Sequence, residues 1–291
     1  MIYSMTGYGR AEQTINDKIF IIELKSLNGK QFDLRMMSPS IIKQYEIEIR
    51  NLINTELERG SVECFINIKT NGSSKPIVLN TELLKAYYNS VSEVATELNA
   101  STDNLLAAIL KMPDVVTNNT ESLTEDEWLQ LQELFKTALK NLNQHRLNEG
   151  ASIEKDLLFR VDEIEKLEEQ IKIIEPQRRE KIREGFIKVL EENVGKENYD
   201  ANRLEQELIF YIEKIDISEE QVRLKNHIQY FKELLNGKEK SKGKKLSFIL
   251  QEFGREINTT GSKANNAEIQ KLVVQMKDEL EKMKEQILNV L

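Results

Sequence analysis

The chain is poor in the residues that announce many protein classes: one cysteine (Cys64), two histidines, four prolines and twelve glycines among 291 residues. A single cysteine excludes an intrachain disulfide framework and points to a reducing compartment. Two histidines are too few for a histidine-rich zinc centre. Scarce proline and glycine leave no room for long low-complexity linkers. No apolar run approaches the roughly 20 residues a membrane helix needs, and the opening MIYSMTGYGR lacks the basic-then-apolar pattern of a signal peptide. A soluble, cytoplasmic protein is expected. Walker loop, GxGxxG fingerprint, HExxH, paired CxxC and nucleophile elbow are all missing, which removes the better-known nucleotide, metalloprotease, redox and hydrolase motifs.

What is present is a helix-rich, charged composition with 40% hydrophobic and 31% charged residues. The net charge of −8 counts against a generic nucleic-acid-binding module. Any affinity for phosphates must come from a local basic patch. One exists: five lysines and one glutamate fall between Lys238 and Lys245. In isolation such a run also serves as a plain solvated loop.

Pattern divides the chain into 1–150, 151–205 and 206–291. Lys18–Lys25 and Lys30–Met36 alternate apolar and polar residues as strands do, and Asn28-Gly29 between them predicts a tight hairpin. A helix with Ile42, Tyr45, Ile49, Leu52 and Leu57 inward precedes a strand, Val62–Ile68, and SMTGYGRAE supplies a further one. Cys64 aligns with Val62, Ile66 and Ile68, so it reads as a small core residue. The expected class is α+β: an N-terminal unit with a small, mostly antiparallel sheet, then a long-helix, predominantly helical C-terminal region. NGSSKP (71–76) is a loop, Thr81–Leu98 and Thr102–Lys111 are helices, and Thr124 with Glu127 forms a capping box ahead of Trp128. From about Ser152 a long helix carries Leu157, Val161, Ile164, Leu167 and Ile171, and Pro176 should kink or break it. A capping box from Ser218 to Gln221 is expected to open the helix through Leu235. The last helix runs on Ile269, Val273, Met276, Leu280, Met283 and Ile287.

The stretch richest in chemistry is GKKLSFILQEFGREINTTGSK, Gly243–Lys263. Leu246, Ile249, Leu250, Phe253 and Ile257 draw one apolar stripe. The other face offers Gln251, Glu252, Arg255, Thr259 and Ser262. A short loop lets this helix pair with the preceding one, which carries Glu220, Arg223 and His227 on one face, with Asp216 just before it. Asp216, Glu220, Glu252 and Glu256 are candidate ligands for a hard divalent cation, Mg²⁺ or Mn²⁺. His227 can move a proton, and Lys244, Lys245, Arg255 and Lys263 can hold phosphates. Each group also has a plain structural use: first-turn acids suit any helix dipole, and Glu252 and Glu256 can pair with nearby cations.

SMTGYGRAE, ELKSLNGKQFDLR, IRNLINTELERGSVE, HRLNEGASIEKDL, DISEEQVRLKNHIQYF and GKKLSFILQEFGREINTTGSK follow one another in the order of the YicC/YloC family, and the chain resembles it along its whole length. The resemblance implies a metal-dependent endoribonuclease acting on single-stranded or small regulatory RNA, assembled as a homohexamer. It also implies functional positions at Asp216, Glu220, Arg223, His227, Gln251, Glu252, Arg255, Glu256, Asn258, Thr259, Ser262 and Lys263. In the first half Arg10, Glu23, Ser26, Asn28 and Arg35 match. Many members carry His-Arg after the equivalent of Asn28, whereas this chain has Gly29-Lys30; Lys30 keeps the charge. The resulting expectation assigns catalysis to His227, Glu252, Arg255 and Glu256, and RNA contacts to Arg10, Lys30, Arg35, Arg223, Lys244, Lys245, Gln251, Asn258, Thr259, Ser262 and Lys263. A non-catalytic RNA-binding oligomeric scaffold that delivers RNA to other nucleases is the alternative.

Overall fold

The computed structural model of the chain describes residues 1–29, 31–57, 59–70, 78–117, 123–195, 200–237, 239 and 241–291. β1 (Gly7–Ile15) and β2 (Lys18–Leu27) form an antiparallel hairpin across Asn16-Asp17, where Asn16 takes a left-handed φ of 53° that asparagine tolerates. β3 (Asp33–Met37) leads through a 3-10 turn (Ser40–Tyr45) into α1 (Glu46–Glu56) and β4 (Ser61–Thr70). The sheet order is β1-β2-β4-β3, with β3 parallel to β4 and the other pairs antiparallel. The class is therefore α+β, as the pattern implied.

The hairpin expected at Asn28-Gly29 does not form. β4 occupies the edge of β2 that β3 would have needed, so the chain crosses the start of β4 and β3 adds beyond it. Asn28 instead donates to the Leu288 carbonyl at 2.7 Å, and Arg59 donates to the Gly29 carbonyl at 3.0 Å. Lys30, the NGSSKP loop, Lys238 and Lys240 lie outside the described residues.

Period-two alternation turns Phe20, Ile22 and Leu24 of β2 and Val62, Cys64 and Ile66 of β4 onto one face. Ile49 and Ile53 of α1 help to cover it. β5 (Val78–Leu79) and β6 (Val116–Thr117) bracket α2 (Thr81–Glu97) and α3 (Leu105–Ile109). Then comes α4 (Glu125–Val194), 70 residues long and opened by the Thr124–Glu127 capping box; at 1.5 Å per residue it spans roughly 105 Å. Its first half packs Leu131, Phe135, Ala138 and Leu142 on the sheet, and Trp128 stacks on Tyr45 at 4.0 Å between ring centroids. Gly9 makes close packing possible, since a Cβ there would stand 2.3 Å from the Ala138 carbonyl. The second half carries Leu157, Val161, Ile164 and Ile171 into another core.

α4 passes position 150 without interruption and runs through Pro176 unbroken. The proline withdraws one N–H from the ladder, a cost of about 3 kcal/mol, but Ile171 and Arg178 on either side are buried and hold the helix in place. α5 (Ala201–Ile215) lies where the pattern suggested no element; Leu208 and Ile215 form its buried side. α6 (Ser218–Asn236) is opened by Asp216, not by a Ser218–Gln221 box. Ser218 already lies inside the helix, and its N–H and hydroxyl both donate to Asp216 Oδ1. α7 (Gly243–Ala264) and α8 (Ala267–Ile287) complete a bundle with α6 and the second half of α4. Among the described residues no helix is long and apolar enough to cross a membrane.

The open end of the bundle is tied by the chain termini. The Leu291 carbonyl accepts from Lys242 N at 2.7 Å and Gly243 N at 2.9 Å, and Leu291 N donates to Tyr3 O. The buried Lys242 ammonium donates to the carbonyls of Leu235 and Gly237, closing α6.

Two outcomes are expected. Gly243→Ala places a methyl 2.3 Å from the Val290 carbonyl, so it should lower unfolding stability by about 1–3 kcal/mol, read by urea denaturation. Burial pushes the Cys64 thiol up to about 12. The thiol should resist Ellman's reagent at pH 8 until denaturant is added. A raised thiol value keeps its stabilising contribution below the unfolded-state value and loses it as pH rises, so stability should fall by up to about 1.4 kcal/mol per pH unit above pH 9.

Candidate metal centre

α6 and α7 are joined by a short loop and run antiparallel, as the pairing of residues along them requires: Glu220 meets Lys263, and His227 meets Glu252 and Glu256. Spacing of i and i+4 puts Glu252 and Glu256 on one side of α7, facing His227 on α6. One donor atom from each of the three lies within 4.8 Å of the others. Glu256 is buried, while His227 and Glu252 are half-buried. Neither glutamate has an ion-pair or hydrogen-bond partner among the described residues, although lysines and arginines are abundant nearby. Two ionised carboxylates at such a distance repel by roughly 3–4 kcal/mol at an effective dielectric of 20. Two carboxylates and an imidazole are a donor set for a divalent cation, the carboxylates suiting Mn²⁺ or Mg²⁺ and the imidazole making the set softer than an all-oxygen shell.

The other two predicted ligands are placed elsewhere. Asp216 accepts from Arg179 at 2.7 Å as well as from Ser218. Desolvation pushes its carboxyl toward a higher pKa, but the Ser218 hydrogen bonds and the charges of Arg179 and Lys263 outweigh it and hold the carboxyl below the usual carboxylate range. Glu220 is buried and bound to Lys263 at 2.7 Å, with its second oxygen unpartnered. It stands two helical turns from His227, about 10 Å along the axis, too far to share an ion with the cluster.

The predicted RNA-contact residues separate into groups. Lys244, Gln251, Arg255 and Asn258 are exposed on α7. Lys245 pairs with Glu239 at 2.6 Å, and Arg223 pairs with Glu219. The Thr259 and Ser262 hydroxyls donate back to the carbonyls of Arg255 and Thr259 in their own helix. Arg10 and Arg35 share the open face of the sheet but sit on opposite edge strands, separated by two intervening strands, roughly 14 Å. Arg10 contacts Glu12 at 2.7 Å. Sequence reading passed over Arg59, which donates to the Gly29 carbonyl and lines a cleft with residues of α7; nothing in its local pattern marked it.

The fold and this cluster define an α+β protein whose paired helices converge donors suited to a divalent cation and to phosphate-bearing ligands. Residues 2–155 match the N-terminal region of the endoribonuclease YicC-like family and residues 167–291 its C-terminal region, so the chain belongs to that family. It is 34% identical over the full length of both chains to a probable endoribonuclease YicC of Clostridioides difficile, and 29% identical over full length to one of Haemophilus influenzae.

Lys263→Met strands the buried Glu220 carboxylate and should cost about 3–5 kcal/mol of stability. The double change with Glu220→Gln should recover much of that loss. Equal melting behaviour of the single and double variants would show that the pair does not carry the end of this seam.

Proposed function

We propose that this member of a family of endoribonucleases hydrolyses phosphodiester bonds of single-stranded or small RNA in the cytoplasm with a divalent cation, Mn²⁺ or Mg²⁺, held by Glu252, Glu256 and His227. The observation that carries this reading is the convergence of an imidazole and two carboxylates, unpaired among the described residues, on two helices locked in register. A cation bound there would neutralise charge on the scissile phosphate and supply an activated water. His227, offered by the sequence as a proton carrier, serves here as the third donor. Arg255, exposed one residue from Glu256, orients the phosphate, and Lys244 and Gln251 extend the same face of α7 along the RNA. Asp216, Glu220 and Lys263 hold the helix pair in register.

Assembly into a homohexamer belongs to the same proposal. Val94 on α2, Leu98 at its C-terminal cap, and Ile209 and Phe210 on α5 are more than half exposed, and apolar surface of this kind favours association. Association would also gather several basic segments around an acidic body.

The test combines cation binding, RNA binding and cleavage on purified full-length protein. Mn²⁺ should bind with a paramagnetic signature that Glu252→Gln and Glu256→Gln abolish. Cleavage of an end-labelled single-stranded RNA should require Mn²⁺ or Mg²⁺, stop with EDTA, and drop about a hundredfold or more in each variant, while RNA binding in EDTA persists. Full activity in Glu252→Gln would sink the assignment. RNA binding with no cleavage by the wild type would favour the scaffold reading instead.

A further inference from the structure

α7 has one apolar side chain that its core does not use. Leu246, Ile249, Leu250, Phe253 and Ile257 are each at most 3% exposed, whereas Phe248 is 62% exposed. It opens onto a cleft of about 430 Å³ between the bundle and the end of the sheet, lined also by Asn28, Arg59, Lys244, Ser247 and Gln251. No carboxylate lines this cleft among the described residues, in a chain whose net charge is −8. Neither Arg59 nor Lys244 has an ion-pair partner among the described residues. Among the described residues Arg59 spends only Nε, on the Gly29 carbonyl, leaving its terminal nitrogens for a ligand. Asn28 is pinned to the Leu288 carbonyl, which fixes the sheet end against the C-terminal end of α8.

We propose that this cleft is a nucleotide subsite for single-stranded RNA, with Phe248 stacking on one base and Arg59 and Lys244 holding the flanking phosphates. The proposal deepens the endoribonuclease reading and rests on it. An aromatic face accepts any base, and stacking needs a base free of its complement; two unpaired cations without a competing acid supply the phosphate contact. The location fits the reaction. Phe248 and Glu252 are one turn apart on α7, about 6 Å along the axis, so a nucleotide seated on Phe248 delivers a neighbouring phosphate toward the carboxylates. Both halves of the chain are required, because Arg59 comes from the sheet side and Phe248 from the bundle.

The measurement is fluorescence anisotropy of a labelled single-stranded oligoribonucleotide on the full-length protein in EDTA, across a salt series, with sedimentation of each variant alongside. Phe248→Leu should weaken binding about tenfold without altering the salt slope, and Phe248→Trp should restore it. Arg59→Gln should weaken binding and reduce the slope by roughly 0.7, the value for one single-strand phosphate contact. Binding of Phe248→Leu within twofold of wild type overturns the subsite. So does a change in oligomeric state in that variant with RNA affinity intact, which would mark the cleft as an interface between copies. If wild type binds and cuts RNA while Phe248→Leu does so equally well, only the subsite fails; if wild type binds no RNA, the proposed function fails with it.

Discussion

The buried Arg178 guanidinium is the joint on which the C-terminal half depends. It makes a bidentate pair with Glu175 one turn earlier on α4, both bonds 2.7 Å long, and both residues are buried. Its remaining donors reach the Ala264 carbonyl at 2.6 Å and the Ile215 carbonyl at 2.8 Å, at the C-terminal ends of α7 and α5. Helix ends leave carbonyls without partners and carry partial negative charge, so one cation satisfies two of them at once. Removing one partner of a buried pair leaves an uncompensated charge, a loss of about 3–5 kcal/mol, which is a large share of the stability of any domain. Beside it, Arg179 bridges Glu175 to Asp216, so the start of α6 is fixed to the same point.

The relative register of α6 and α7 follows from this. At one end both helices are anchored through Arg178 and Arg179. At the other, Lys242 and the terminal residues close the connecting loop. Between two fixed ends the helices cannot slide, and His227 is held against Glu252 and Glu256. Donors for a cation need placement to within a fraction of an ångström, and only a clamped pair supplies that. The polar residues that flank the cluster thus divide into those that position the helices and those left free for a ligand.

Long-range attraction does not explain how an acidic chain would meet RNA. The relevant quantity is local: many lysines and arginines are spent on carboxylates in pairs such as Lys232 with Glu165 and Arg160 with Glu279, while Lys244, Arg255 and Arg59 have no such pair among the described residues. Pairs of this kind neutralise the cations they hold. Unpaired cations along α7 are what remains to attract phosphate.

The sequence by itself determined the elements whose pattern is local. Alternation in KIFIIELK and VECFINI, the Thr124–Glu127 box and the apolar stripe of Gly243–Lys263 each specify one face of one element, because pleat and helix repeat impose the period on the side chains. The same stripe left Glu252 on the other face, with Glu256 one turn on at the stripe's edge, so the candidate site was half legible from spacing alone. Tertiary structure decided what depends on a neighbour distant in sequence. β3 went to the far edge of β4 because that edge was the free one, not because Asn28-Gly29 disfavours a turn. α4 stayed whole through Pro176 because Arg178 and Ile171 are buried beside it. Asp216 and Glu220 were indistinguishable from Glu252 as carboxylates on a polar face; the arrival of Arg179 and Lys263 from other helices gave them partners and left Glu252 and Glu256 without one among the described residues. Periodicity records which way a side chain points, whereas the charge it meets there is set by packing.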